Sequence, residues 1–156
     1  MKKLNQKNNS ASKGFTLIEL VVVIGILAVL FAIVLIAINP GRQFAQANDT
    51  KRRSDVNAIL NSVSQYAADH KGSLSALSIG SSEVLISNSG ADICDELVPM
   101  YISALPFDPN KTTSNCGTGV SSPTYDSGYK IVQDSNGRVT VSASPEVSGA
   151  TISVTR

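Results

Sequence analysis

The feature that most constrains this chain is an apolar run from Phe15 to Ile38, FTLIELVVVIGILAVLFAIVLIAI, in which only Thr16 and Glu19 are clearly polar. As a helix rising ~1.5 Å per residue it spans about 36 Å, enough to cross a hydrocarbon layer of ~30 Å. A secretory signal peptide fits it poorly. Such apolar regions run about 7–15 residues, and no small-x-small cleavage pattern follows in AIVLIAINPGRQ. Composition alone leaves a plain signal anchor open. Glu19 is the anomaly, because a carboxylate inside such a run is costly unless it lies shallow enough to stay hydrated or finds a partner.

Charge sets orientation and narrows the partners. Residues 1–14, MKKLNQKNNSASKG, hold four lysines and no acid; the remaining chain carries 9 basic and 12 acidic residues, or −3. That balance argues against nucleic acid as the main partner. Arg42, Lys51, Arg52 and Arg53 match the leader's four cations on the far side of the run. Lys13 is directly adjacent to the span, however, while the KRR run is distant and interleaved with Asp49 and Asp55, which favours a cytoplasmic N-terminus.

Asn39-Pro40-Gly41 predicts a kink or short break where the apolar run ends. Beyond it Val56, Ile59, Leu60, Val63 and Ala67 recur at helical spacing, with polar residues largely between them. Lys51 with Asp55, and Asp49 with Arg53, are expected i,i+4 pairs. His70-Lys71-Gly72 reads as a helix stop, with cations in the last turn and Gly72 at the left-handed C′ position. Unbroken, 15–71 would be one helix of roughly 85 Å, half in lipid and half the spine of a domain.

The domain, 73–156, is rich in Ser, Gly, Thr and Asn. ELVPMYISALP (Glu96–Pro106) predicts a short helix or turn packed by Leu97, Met100, Tyr101 and Leu105. GYKIVQDSNGRVTVSAS (Gly128–Ser144) predicts a hairpin. A three-residue loop Ser135-Asn136-Gly137, with Gly137 left-handed, puts Tyr129, Ile131, Val139 and Val141 on one face and Asp134 against Arg138; a two-residue loop would split the apolar residues. Thr151–Thr155 is a further strand or a tail. Cys94 and Cys116, with 21 residues between them, are too few for a zinc site; they form a disulfide if the domain faces an oxidising compartment, or stay free thiols.

A basic leader, then Gly14, Phe15 and Glu19 in KGFTLIEL at the start of a long apolar helix, resembles the type IV pilin and pseudopilin superfamily, which includes secretion pseudopilins and competence pilins. Weaker similarity continues in ELVPMYISALPFDP and GYKIVQDSNGRVTV. The resemblance implies an α+β fold, a long N-terminal helix packed through its second half on a small C-terminal antiparallel sheet. Its divisions would be a leader at 1–14, a transmembrane and assembly helix at 15–39, an amphipathic helix at 40–72 and an extracellular β-rich domain at 73–156. It also implies that a prepilin peptidase cuts after Gly14 and methylates the new amine of Phe15. In a filament that amine is expected to meet Glu19 of a neighbouring copy. Implied partners are further copies of the chain and related pilins, an assembly platform protein, and the membrane before assembly, with no cofactor. The final location would be a surface filament or the cell envelope.

The sequence departs from many major pilins in lacking a proline inside the apolar helix; Gly25 and Pro40 are the comparable breakers. Cys94 and Cys116 resemble the pilin disulfide loop in number more than in position. Enzyme readings find little support: His70 sits in a helix-end signal, and Asp95 with Glu96 read as a helix-start pair. Asp108, Asn110, Asp126 and Asp134 could contribute to a calcium site of the kind some pseudopilins carry, but without EF-hand spacing no metal is expected. The KRR run reads as a solvated helix face or a contact between subunits. The rival to a filament subunit is an unprocessed, membrane-anchored binding module.

Overall fold

A computed structural model of the chain describes residues 14–111, 116, 117 and 124–156. The leader expected at 1–14 therefore lies, except for Gly14, outside the described residues. The chain divides into two units, Met1–Pro40 and Gly41–Arg156.

The first unit is helix α1, Leu17–Ala37, in which no residue is buried. Large aliphatic side chains project on every side, so the helix presents apolar surface all round. It stops at Ile38, whose backbone is extended (φ −92°, ψ 114°) while its amide still donates to the Val34 carbonyl at 3.0 Å. Asn39 precedes Pro40, and the proline ring disfavours helical geometry at the residue before it. Pro40 itself opens the next helix, where its missing N–H costs nothing. The helix is thus interrupted at Ile38 and Asn39 and does not run unbroken to residue 71.

The second unit is built on α2, Pro40–Asp69, which buries Val56, Ile59, Leu60, Val63 and Tyr66 along one stripe. Each fully buried aliphatic side chain there contributes about 1.5–3 kcal/mol. The C-terminus differs by one residue from the sequence reading. Lys71 takes the C′ position with φ 56°, and the Gly72 amide bonds back to the Ala67 carbonyl at 2.7 Å in a Schellman arrangement. His70 Nδ1 donates to the Tyr66 carbonyl at 2.9 Å and its ring stacks on Tyr66, so it does cap the helix end.

Four antiparallel strands form one sheet in the order β1 (Val84–Ser87), β2 (Asp126–Gln133), β3 (Val139–Ala143) and β4 (Ile152–Thr155). Tyr129, Ile131, Val139, Val141 and Ile152 share a single core with the α2 stripe. The β2–β3 hairpin has the register expected from sequence: Ile131 faces Val141, Gly137 has φ 82°, and the Asp134 amide donates to the Arg138 carbonyl at 2.8 Å. Of the segment Thr151–Thr155, Ile152–Thr155 is a strand, so it is not a tail. A bulge sits between β1 and β2, where Leu85 pairs with Lys130 but Ser87 with Asp126. Gly128 lies in it at φ 78°, and a Cβ there would stand 2.8 Å from that of Asp108. A glycine is required, because the bulge lets the Asp108 amide reach the Ser127 carbonyl at 2.8 Å.

The short helix α3, Cys94–Leu97, carries Asp95 and Glu96 in its first turn, where acids complement the helix dipole. Leu97 and Leu105 are buried and Tyr101 packs on the core, but Met100 is exposed, contrary to the packing expected of it. A disulfide joins Cys94 to Cys116 with Cα atoms 5.8 Å apart, both side chains inside the core.

Candidate functional site

The first candidate site is the start of α1. Gly14, Phe15 and Thr16 are not helical, and both Gly14 and Phe15 are exposed. The Gly14–Phe15 bond therefore lies in non-helical backbone two residues before the helix, and among the described residues nothing beyond the chain neighbours comes within 4 Å of where a Gly14 Cβ would be. A peptidase needs an accessible, non-helical segment, and this bond is one.

Glu19 is not without a partner. Thr16 is the N-cap of α1, and its amide and hydroxyl donate to Glu19 Oε2 at 2.9 and 2.8 Å. In return the Glu19 amide donates to Thr16 Oγ1 at 3.2 Å, completing a capping box. The carboxylate thereby satisfies helix-end donors and sits at the positive end of the helix dipole. The sequence reading gave Thr16 no role, although Thr16-Leu17-Ile18-Glu19 is the pattern of a capping box. Further along the helix Gly25 leaves an apolar notch flanked by Val22, Ile26, Val29 and Leu30.

The second site is a polar cluster in the other unit, which the sequence reading missed. Arg52 is only 2% exposed and is no part of a solvated face, although Lys51 and Arg53 on either side of it are exposed. Its Nε and one terminal nitrogen grip Asp108 at 2.7 and 2.9 Å, while other guanidinium contacts reach Asp49 at 2.9 Å and Glu146 at 2.7 Å. Asp49 pairs with Arg52 at i,i+3 and not with Arg53 as expected; Lys51 does pair with Asp55 at 2.6 Å. Asp49 also accepts the amides of Glu146 and Val147 at 2.8 and 3.0 Å.

The electrostatics follow from this geometry. The hydrogen bond from Arg52 holds the Asp108 and Glu146 carboxyls below their usual range. Burial opposes ionisation of Asp49, yet the two backbone amides and Arg52 together hold its carboxyl low as well. Arg52 is pushed further up, chiefly by Asp108. Three carboxylates from three segments converge on one permanent cation.

The four residues considered for calcium do not converge. Asp108 is taken by Arg52, Asn110 Nδ2 donates to Glu146 at 2.8 Å, Asp126 pairs with Lys111 at 2.6 Å, and Asp134 pairs with Arg138 at 2.8 Å. Among the described residues no group of three or more His, Cys, Asp or Glu is placed to hold a metal ion.

An exposed, non-helical Gly14–Phe15 segment, a capped helix start and an apolar helix long enough to cross a membrane thus lie together at the start of the described chain. Residues 9–35 match the family model described as the prokaryotic N-terminal methylation motif, the class III signal of type IV pilins. That match is confined to the N-terminal segment; it indicates a type IV pilin-like or pseudopilin precursor, and the α+β layout of the chain is pilin-like. No match to the chain was found among curated proteins or among solved structures.

Proposed function

We propose that the chain is the structural subunit of a type IV pilus-like filament. A prepilin peptidase cuts after Gly14, the amine of Phe15 is methylated, and an assembly platform protein draws the trimmed chain from the membrane. Copies of the chain, with related pilins, then pack through α1, and residues 73–156 are displayed outward. The observation that carries this reading is α1 itself: none of its residues is buried within its own chain, and the methylation motif at 9–35 runs through most of it. Such a surface requires lipid before assembly and neighbouring helices after it.

Glu19 has two roles in this scheme. In the single chain it closes the capping box with Thr16; in the filament it provides the counter-charge for the Phe15 amine of a neighbour, which sets the register between helices.

Mass spectrometry of protein purified from its native membrane tests processing. The expected N-terminal peptide begins at methylated Phe15. Peptides retaining Met1 or Lys2 as the main species would overturn the reading in favour of an unprocessed anchor. Antibody to 73–156 then distinguishes a pilus from a secretion or competence pseudopilus, according to whether it labels surface filaments or material confined to the envelope.

A further inference from the structure

We infer that the loop between β3 and β4 is an acid-released latch, held closed on α2 by the Arg52 cluster and free to open while the core stays folded. Residues 144–149 contribute no buried side chain to the core, so apolar burial does not hold the loop down. Its attachments are polar. The Glu146 and Val147 amides are seated on Asp49, and the Glu146 carboxylate accepts from Arg52, from Asn48 Nδ2 at 3.0 Å and from Asn110 Nδ2 at 2.8 Å. Within the loop, one turn bond runs from the Ala150 amide to the Val147 carbonyl at 3.1 Å.

Every one of these attachments depends on a charged carboxylate. The groups facing them come from three elements besides the loop. From α2 come Asn48, Asp49 and Arg52, with Lys51 and Asp55 paired alongside, and Arg42, a second cation, which lines a pocket with Glu146, Val147 and Ser148. From the segment before β2 come Asp108, Asn110 and Lys111, and from β2 come Asp126, which holds Lys111, and Tyr129, whose hydroxyl donates to Asp55 at 2.7 Å. Arg52 keeps its charge throughout, so protonation of the carboxylates is what unbalances the cluster. Glu146 has the side chain most open to water of the three, 29% against 7% and 11% for Asp49 and Asp108, and glutamate ordinarily binds protons at higher pH than aspartate. It is the first to protonate as pH falls. A neutral carboxyl then faces a guanidinium, and its bonds to Asn48 and Asn110 weaken.

The sign is fixed by geometry: all three carboxyls favour their charged form in the closed state, so closure is complete above the ordinary carboxylate range and is lost below it. Opening uncovers the polar face of α2 around Asn48, Asp49 and Arg52 and changes the surface a filament would present.

Amide hydrogen exchange of the full-length protein in detergent micelles tests the latch, with protection expressed relative to the unstructured chain at the same pH. Between neutral pH and about pH 3, protection of 144–150 should fall about tenfold or more, since a hydrogen bond to a charged group is worth at least that factor. Peptides covering 129–133 and 139–142 should lose clearly less, only what the acid loss of global stability imposes. Glu146→Gln, which removes the charge at similar volume, should show the lowered loop protection already at neutral pH. A fall in β3 protection as large as that in the loop on acidification would overturn the latch, as would wild-type loop protection in Glu146→Gln at neutral pH.

Discussion

Breaking the Cys94–Cys116 bond tests both the packing of the domain and the compartment in which it folds. The two residues are 22 apart in sequence, and in the chain-entropy account closing a loop of that length stabilises the folded state by about 3 kcal/mol. The native state has little to set against this, because both sulfurs lie in the core: Cys94 begins α3, and Cys116 is held by its own carbonyl, which accepts from the Leu105 amide at 3.0 Å. The double variant Cys94→Ala, Cys116→Ala should therefore lose about 3–4 kcal/mol, with deletion of the buried sulfurs adding to the entropic part. At about 4 °C per kcal/mol, the melting temperature should fall by about 12–16 °C. Thermal and urea unfolding of full-length protein in micelles, with and without reductant, is the measurement. Reductant should reproduce most of the loss in wild type and change nothing in the double variant. Two titratable thiols in the unreduced folded protein would refute the bond, and a loss below about 1 kcal/mol would refute the loop-closure argument.

Glu19→Leu should insert and be cleaved normally but yield no sheared filaments when expressed alone; filaments at wild-type yield would return Glu19 to a capping role only. Gly128→Ala should cost about 2 kcal/mol or more, through positive φ and collision with Asp108, measured as a lower urea midpoint. In wild type the depressed carboxyls of Asp108 and Asp49 contribute stability that is present above their ordinary range and lost as pH falls through the lower folded values. In Arg52→Leu that acid loss should flatten, since Asp108 loses the cation that favours its charged form, while at neutral pH the variant should be about 3 kcal/mol less stable. Unfolding curves at several pH values for both proteins would check the sign; equal slopes would contradict it.

The order of elements was legible because it rests on local physics. An apolar run of that length has one helical answer in lipid, proline after asparagine ends it, and period-2 alternation on either side of Ser-Asn-Gly sets a hairpin whose register follows from which residues must be buried. The processing motif was equally readable, since a peptidase recognises a contiguous segment. Even the capping box was present in Thr16-Leu17-Ile18-Glu19, unread because Glu19 was weighed as a lone charge in lipid. The Arg52 cluster was not legible in this way. Asp49, Arg52, Asp108 and Glu146 lie up to 97 positions apart, each looks in sequence like an ordinary surface charge, and the nearest local rule paired Asp49 with the wrong arginine. Which arginine of a basic run is buried depends on which face of α2 the loops at Asp108 and Glu146 cover. That is decided by chain folding over long separations, where burial turns an exposed pair of small value into a hydrogen-bonded network that cannot lose a partner cheaply.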